Sequence, residues 1–295
     1  MTRSARAPRE ALAADLLLLG AAAVWGTTFV VVRAGLRDVS PLLFVAVRFT
    51  LAALLVAPLV FWRRGRPGRE AWRAGLAAGV PLLTGFALQT VGLQWTPPGR
   101  AAFLTGLYVV LVPVLAPLLG VRAPDGRTWG AVALALGGTI ALTWPGSDLA
   151  AAGPNVGDVC MLGCAVAFAV QILAVDRIAA AVPVWTLLAT ELSVVAALAW
   201  PAALILEAPR FRPTPVALGA LAAVVLLASF GALWAQNWAQ RRVGPARTAI
   251  VFAMEPAFAA ATSWLVTGER LTGWGLVGAG AILVAMVVCG RGGRA

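Results

Sequence analysis

What most constrains this chain is a succession of apolar runs, nearly free of charge and separated by short connections. Ten are read, at about 14–32, 41–62, 73–94, 100–120, 128–145, 156–175, 183–206, 214–239, 247–267 and 272–290. A helix of about 17–25 residues crosses a ~30 Å hydrocarbon core. Lipid offers the backbone no hydrogen-bond partner, so each run must satisfy its own N–H and C=O groups, which a helix does. The runs are too long, and lack the two-residue alternation, for the strands of a β-barrel. Only three charges fall inside runs where depth matters: Arg48, Glu191 and Glu255.

Composition agrees. Hydrophobic residues make up 61% of the chain and charged ones 12%, whereas soluble domains carry about 25% charge. There are too few charges to cover a water-facing surface. The net charge of +11 comes from arginines clustered between the apolar runs. A basic face interleaved with aromatics, as nucleic acid would need, is absent, so nucleic acid is not an expected partner. With three Cys and no His, neither a metal site nor a disulfide framework is expected, and no cofactor is implied. The short basic start, MTRSARAPRE, lacks the features of a cleavable signal peptide.

Arginine placement sets the orientation. With a cytoplasmic N-terminus, 16 arginines fall on the inside and 6 on the outside, leaving Arg48 within a helix. The positive-inside rule therefore puts both termini in the cytoplasm. An internal repeat accompanies this. QTVGLQWTPPGRA (89–101) aligns with QNWAQRRVGPART (236–248), so that Gln89, Pro98 and Arg100 map onto Gln236, Pro245 and Arg247. Trp129-Gly130 maps onto Trp274-Gly275, and Arg48 onto Glu191. Five helices per copy is an odd number, so the second copy enters the membrane upside down. The expected fold is all-α and integral to the membrane, with ten transmembrane helices as two inverted five-helix repeats, 11–145 and 155–290.

Three segments then carry a family resemblance: AAAVWGTTFVVVRAG (21–35), VAVRFTLAALL (45–55) and the stretch from Gly244 to Val288. They resemble the EamA repeat of the drug/metabolite transporter superfamily, most specifically in Glu255-Pro256 followed by the Gly268 to Thr272 turn. The resemblance implies two EamA domains around a central cavity used for alternating access. The first repeat departs from the pattern. It has Gly120-Val121-Arg122 at its turn and no Glu-Pro pair in its fourth helix.

Inverted-repeat carriers hold substrate near the midplane, at interrupted helices in matching positions. Pro113 and Pro117 in the fourth run and Pro256 in the ninth are the interruptions. Trp25, Gln89, Tyr108, Pro113, Trp234, Gln236, Asn237 and Glu255 are the expected cavity residues. Amides inside apolar helices must bond a neighbour or line a wet cavity, and these aromatics lie inside their runs. Arg48, Glu191 and Glu255 are the intramembrane charges and the candidates for coupling. Each costs at least ~2.5–3.5 kcal/mol at a helix centre and should face inward. Protonation removes that cost, which makes either carboxyl a candidate proton carrier. A purely structural reading instead pairs Glu191 with Arg48, or lets Arg48 snorkel towards the outer surface. Trp62, Trp72, Trp95, Trp129, Trp144 and Trp274 fall near helix ends and read as interfacial anchors.

The expected function is secondary-active transport of a small organic metabolite, amino-acid-like or drug-like on the resemblance. Export and proton coupling are the preferred variants, in the cytoplasmic (inner) membrane. No GxxxxGK[ST] segment is present, so nucleotide hydrolysis is not the expected energy source. Without His the usual general base is missing, and an enzyme is not expected. A lipid-flipping carrier or scramblase is the alternative. Partners are then the substrate and the bilayer, with monomer and homodimer both open.

Overall fold

The computed structural model describes residues 3–64, 66–143, 154–178, 181–267 and 273–290. Among the described residues the regular structure is helical, apart from one isolated antiparallel bridge between Val39 and Phe211. The helices are α1 (Arg3–Gly35), α2 (Pro41–Arg64), α3 (Arg69–Gly92), α4 (Pro98–Gly106), α5 (Tyr108–Leu115), α6 (Gly126–Thr143) and α7 (Val156–Ile178). They continue with α8 (Val184–Leu206), α9 (Pro215–Ala223), α10 (Leu233–Val243), α11 (Pro245–Phe252), α12 (Glu255–Thr267) and α13 (Gly273–Gly290). A π-helical segment, Val224–Ala232, joins α9 to α10. The Gly268 to Thr272 turn and most of the loop after the fifth run lie outside the described residues.

Among the described residues eight stretches are long and apolar enough to cross a membrane, among them Pro98–Leu115, Pro215–Val243 and Pro245–Val266, and Gly273–Cys289 is a shorter apolar helix. Large apolar side chains such as Leu54, Leu118, Ile205 and Leu265 stand exposed on the outer surface. Lipid rather than water is the solvent that suits them. This is an all-α multi-pass membrane fold.

Helix ends follow local chemistry. Thr214 caps α9 by accepting the Ala217 N–H, with Pro215 in the first turn, where its missing N–H costs nothing. Asn155 and Asp158 cap α7 reciprocally: Asp158 N donates to Asn155 Oδ1 and Asn155 N to Asp158 Oδ2, a capping-box exchange. Asp125 precedes α6 and accepts from the Thr128 backbone N–H at 2.8 Å. The Thr128 side chain and then its N–H hold that carboxyl below its ordinary value. Gly244, at φ 79°, is the sole residue between α10 and α11, a conformation that favours glycine.

Packing follows the repeat. α2 lies on α8 and α6 on α13, while α3 lies against α7 as the α9–α10 run lies against α1. Shifting the first unit onto the second exchanges these contacts with one another. The same relation governs two ion pairs. Arg100 binds Asp158, and Arg247 binds Asp15. Each ties the start of a broken helix to the first helix of the other repeat.

The two faces of the molecule differ. On one, the segments around 38–43 and 207–214 are laced together. Ser40 N donates to Arg210 O at 2.9 Å and Arg212 N to Asp38 O at 3.0 Å. The Glu207 carboxylate accepts from Ser40 Oγ at 2.7 Å, Leu43 N at 2.8 Å and Leu42 N at 3.1 Å, capping the start of α2, where negative charge is favoured. Thr214 Oγ1 donates to Asp38 Oδ2 at 2.6 Å. The repeat offset that relates Arg48 to Glu191, 143 residues, carries Val39 to Val182 and Phe211 back to Gly68. Those two counterparts line a groove of about 500 Å³ instead of bridging.

Where α1 crosses the break between α11 and α12, only glycine fits. A Cβ on Gly26 would lie 2.5 Å from the Glu255 carbonyl oxygen and 2.8 Å from Phe258 Cβ. Backbone cannot yield as a flexible side chain can, so Gly26→Val is expected to destabilise by about 2–3 kcal/mol. Thermal unfolding in detergent checks this, and an unchanged midpoint would mean that α1 moves aside freely.

Candidate functional site

The fourth and ninth runs are each broken at the same place. α4 ends at Gly106 and α5 begins at Tyr108; α11 ends at Phe252 and α12 begins at Glu255. Pro256 explains the second break, because proline cannot donate to the carbonyl four residues earlier. The first break follows Gly106 and not Pro113, which lies inside α5. Tyr108 and Glu255 are therefore equivalent positions, each the first residue after its break. They also meet: Tyr108 Oη donates to Glu255 Oε1 at 2.8 Å, 147 residues apart, the offset that relates Gln89 to Gln236.

This pair borders an internal cavity lined by Trp25, Gln89, Phe86, Gln171, Gln236 and Phe252, among others. Its volume is about 40 Å³. That holds a few waters at roughly 10–15 Å³ each and falls far short of the roughly 300 Å³ at which small-molecule pockets begin. The cavity is narrow around its polar groups. Trp25 is aimed by its indole N–H, which donates to Ala228 O at 3.1 Å. That carbonyl belongs to the π-helical segment, whose wider turn is a common device at functional sites. Phe252 meets Trp25 edge-on at 5.0 Å.

A buried amide chain runs from the cavity wall. Gln236 Nε2 donates to Gln171 Oε1 at 2.9 Å, Gln171 Nε2 to Glu191 Oε1 at 2.9 Å, and Asn237 Nδ2 to Glu191 Oε2 at 3.0 Å. Glu191 thus stands one amide behind the cavity and fixes which way Gln171 presents its head. Its partners are amides and not Arg48, which corrects the pairing read from sequence. Arg48 Nε donates to Ser229 Oγ at 2.6 Å. α2 and α8 pack together, yet each charge turns to a different neighbour.

Of the expected cavity residues, Trp25, Gln89, Tyr108, Gln236 and Glu255 lie on this one cavity. Three do not. Trp234 lies between Trp185, tilted at 5.7 Å, and Trp238, stacked at 6.4 Å; two residues before Gln236 puts it about 200° around the helix from the cavity face. Asn237 is fully buried against Glu191. Pro113, five residues past Tyr108, is about 7.5 Å further along α5 and lines a separate groove of about 500 Å³ with Arg122, Asp176, Arg177 and Pro245. Gln171, Phe86 and Phe168 were not singled out from the sequence. Gln171 carried the same signal as Gln89, an amide inside an apolar run; the two phenylalanines carried none.

Among the interfacial aromatics, Trp72, Trp95, Trp129 and Trp274 are exposed near helix ends. Trp144 and the side chain of Trp62 lie outside the described residues.

Comparison with known proteins adds to this geometry. The EamA-like transporter family model matches residues 12–144 and again 155–291. An "Uncharacterized transporter" of Archaeoglobus fulgidus is 31% identical over 277 residues, covering 94% of this chain and 85% of that protein. The "Uncharacterized inner membrane transporter YedA" of Escherichia coli (strain K12) is 28% identical over 127 residues, 42% of this chain and 41% of its own. One crystal structure superposes with a TM-score of 0.76 at 19% identity, covering 93% of this chain and 95% of that one. That likeness speaks for the fold.

Proposed function

The chain belongs to the EamA-like transporter family, and from that premise we propose that it is a secondary-active carrier whose two inverted repeats rock about the Tyr108–Glu255 contact. The observation that carries this reading is the meeting of the two helix breaks at one narrow cavity. The ten segments cross the bilayer with both termini in the cytoplasm, in keeping with the arginine bias. The laced 38–43 and 207–214 segments form the outer closure, and the two grooves lie on the cytoplasmic side. Substrate enters the widened cavity from one side when the opposite closure holds.

The substrate is a small organic metabolite, and export driven by proton exchange at Glu255 is the favoured direction and coupling. A carboxyl without a basic partner that reaches a cavity alternates between bilayer sides most cheaply as a neutral group. Glu191, bonded to amides on both oxygens, serves to position Gln171.

The test uses the outer bridge. In a background where Cys160, Cys164 and Cys289 are alanine, Val39→Cys and Phe211→Cys are introduced, at positions that the bridge brings within disulfide reach. Labelled metabolites are screened in proteoliposomes with an imposed pH gradient. Oxidation is expected to stop transport of the substrate found, and reduction to restore it. Transport that continues through the cross-linked protein overturns the alternating closure. Transport of fluorescent phospholipid with no metabolite transport favours the lipid-flipping alternative.

A further inference from the structure

Arg48 is a buried charge that the proposed cycle does not use, and unlike Asp158 it has no charged partner among the described residues. It lies in the middle of the apolar helix α2 and is 2% exposed. Its Nε donates to Ser229 Oγ, but Nη2 has no hydrogen-bond partner. Among the described residues no carboxylate lies within 4 Å of it. The guanidinium instead sits over the Phe86 ring at 4.2 Å and near the Phe49 ring at 5.1 Å. An arginine held only for packing would be expected to spend its donors on backbone carbonyls, since an unmade bond in a dry site is costly.

Position gives the free donor a meaning. Phe86 is itself a cavity wall and meets Phe168, another wall, at 5.1 Å. The ring that carries the Arg48 guanidinium is therefore also part of the cavity wall. A ring is a poor permanent barrier, because a change of side-chain rotamer moves it. Cation–π contact suits guanidinium and compensates in part for its burial, but a carboxylate compensates more and binds more strongly.

We propose that Arg48 and Ser229 form an anion subsite behind Phe86, which receives the carboxylate of a small organic solute when the cavity widens. This rests on the carrier reading above and names the substrate class: a solute bearing a carboxylate, with its remaining polar groups facing Glu255 and the cavity amides. The subsite resolves two facts at once, the missing counter-ion and the unpaired donor. Ser229 adds a hydroxyl that can turn its proton towards the anion while still accepting from Nε.

The experiment compares matched ligands on the full chain in detergent. The probes are simple carboxylic, 2-hydroxy and 2-amino acids, each beside its own carboxamide, read by ligand-induced thermal stabilisation, which reports binding to the folded state. At least one acid is expected to bind about tenfold or more tighter than its amide, the size of a charge-assisted hydrogen bond. Arg48→Met is expected to abolish that preference and Ser229→Ala to weaken it, while Arg48→Lys retains part. Should Arg48→Met fail to fold, the wild-type comparison and Ser229→Ala still decide. A panel in which no acid outperforms its amide overturns the subsite, as does an acid preference that survives Arg48→Met. Neutral or cationic solutes that bind equally well and are transported would remove the anion subsite and leave the carrier standing.

Discussion

Replacing Glu255 with Gln is expected to abolish accumulation of substrate against its gradient, by tenfold or more, in proteoliposomes energised by a pH gradient. Exchange of substrate across the same membrane should survive. The reason is chemical: Gln keeps the size and a hydrogen-bonding head beside Tyr108, 2.8 Å away in the native chain, but cannot release a proton. Downhill exchange needs only the cavity, whereas uphill movement needs a group that changes charge between the two sides. Tyr108→Phe removes the donor and leaves the carboxyl. Its expected effect is smaller, a shift in the pH dependence of transport, since a hydrogen bond to a charged group contributes about 1.5–3 kcal/mol. If Glu255→Gln accumulates substrate as well as wild type does, proton exchange belongs elsewhere.

The second large effect is on stability. Arg247→Ala leaves Asp15 without its cation, and Arg100→Ala does the same to Asp158. Removing one partner of a buried pair costs about 3–5 kcal/mol. Because the Arg247–Asp15 side chains keep 18% exposure each, about 2–4 kcal/mol is expected there. Unfolding in detergent followed by tryptophan fluorescence measures it. Swapping the pair, Arg247→Asp with Asp15→Arg, should recover about half of the loss, because attraction returns while the fork geometry does not. A loss below ~0.5 kcal/mol would mean that both groups are already solvated by lipid headgroups and water. The Arg100–Asp158 side chains are more buried, at 10% and 9% exposure, but Asp158 also accepts from Thr96 Oγ1 at 3.1 Å and from Asn155 N at 3.0 Å; the two effects oppose, so Arg100→Ala should cost about as much as Arg247→Ala.

Much of the site was legible because polar residues in lipid carry information that they do not carry in water. Gln89, Gln236 and Glu255 stand out against apolar neighbours, and physical cost alone turns them inward. Pairing was not legible. Arg48 and Glu191 invite each other by charge and by repeat position, yet Ser229 and an amide chain take them. Helix phase also escaped a reading by depth: Trp234 and Asn237 flank Gln236 closely in sequence but point to other neighbours. The ion pairs show the reverse. Asp15 and Asp158 fall at the 143-residue offset beside arginines related by 147, a signal present in the chain but hidden by the drift between the two offsets.

Hydropathy alone determined that this chain is helical and lives in a bilayer, because length and solvation act residue by residue, while matching motifs at a near-constant offset pointed to the repeat. Only the tertiary structure decided that Tyr108 and Glu255, equivalent in the two halves, touch one another at the border of a cavity of about 40 Å³. It also decided that one face is laced while its counterpart is parted. A repeat specifies two like surfaces, whereas the way they dock, and which end of the interface closes, depends on packing between residues more than a hundred positions apart.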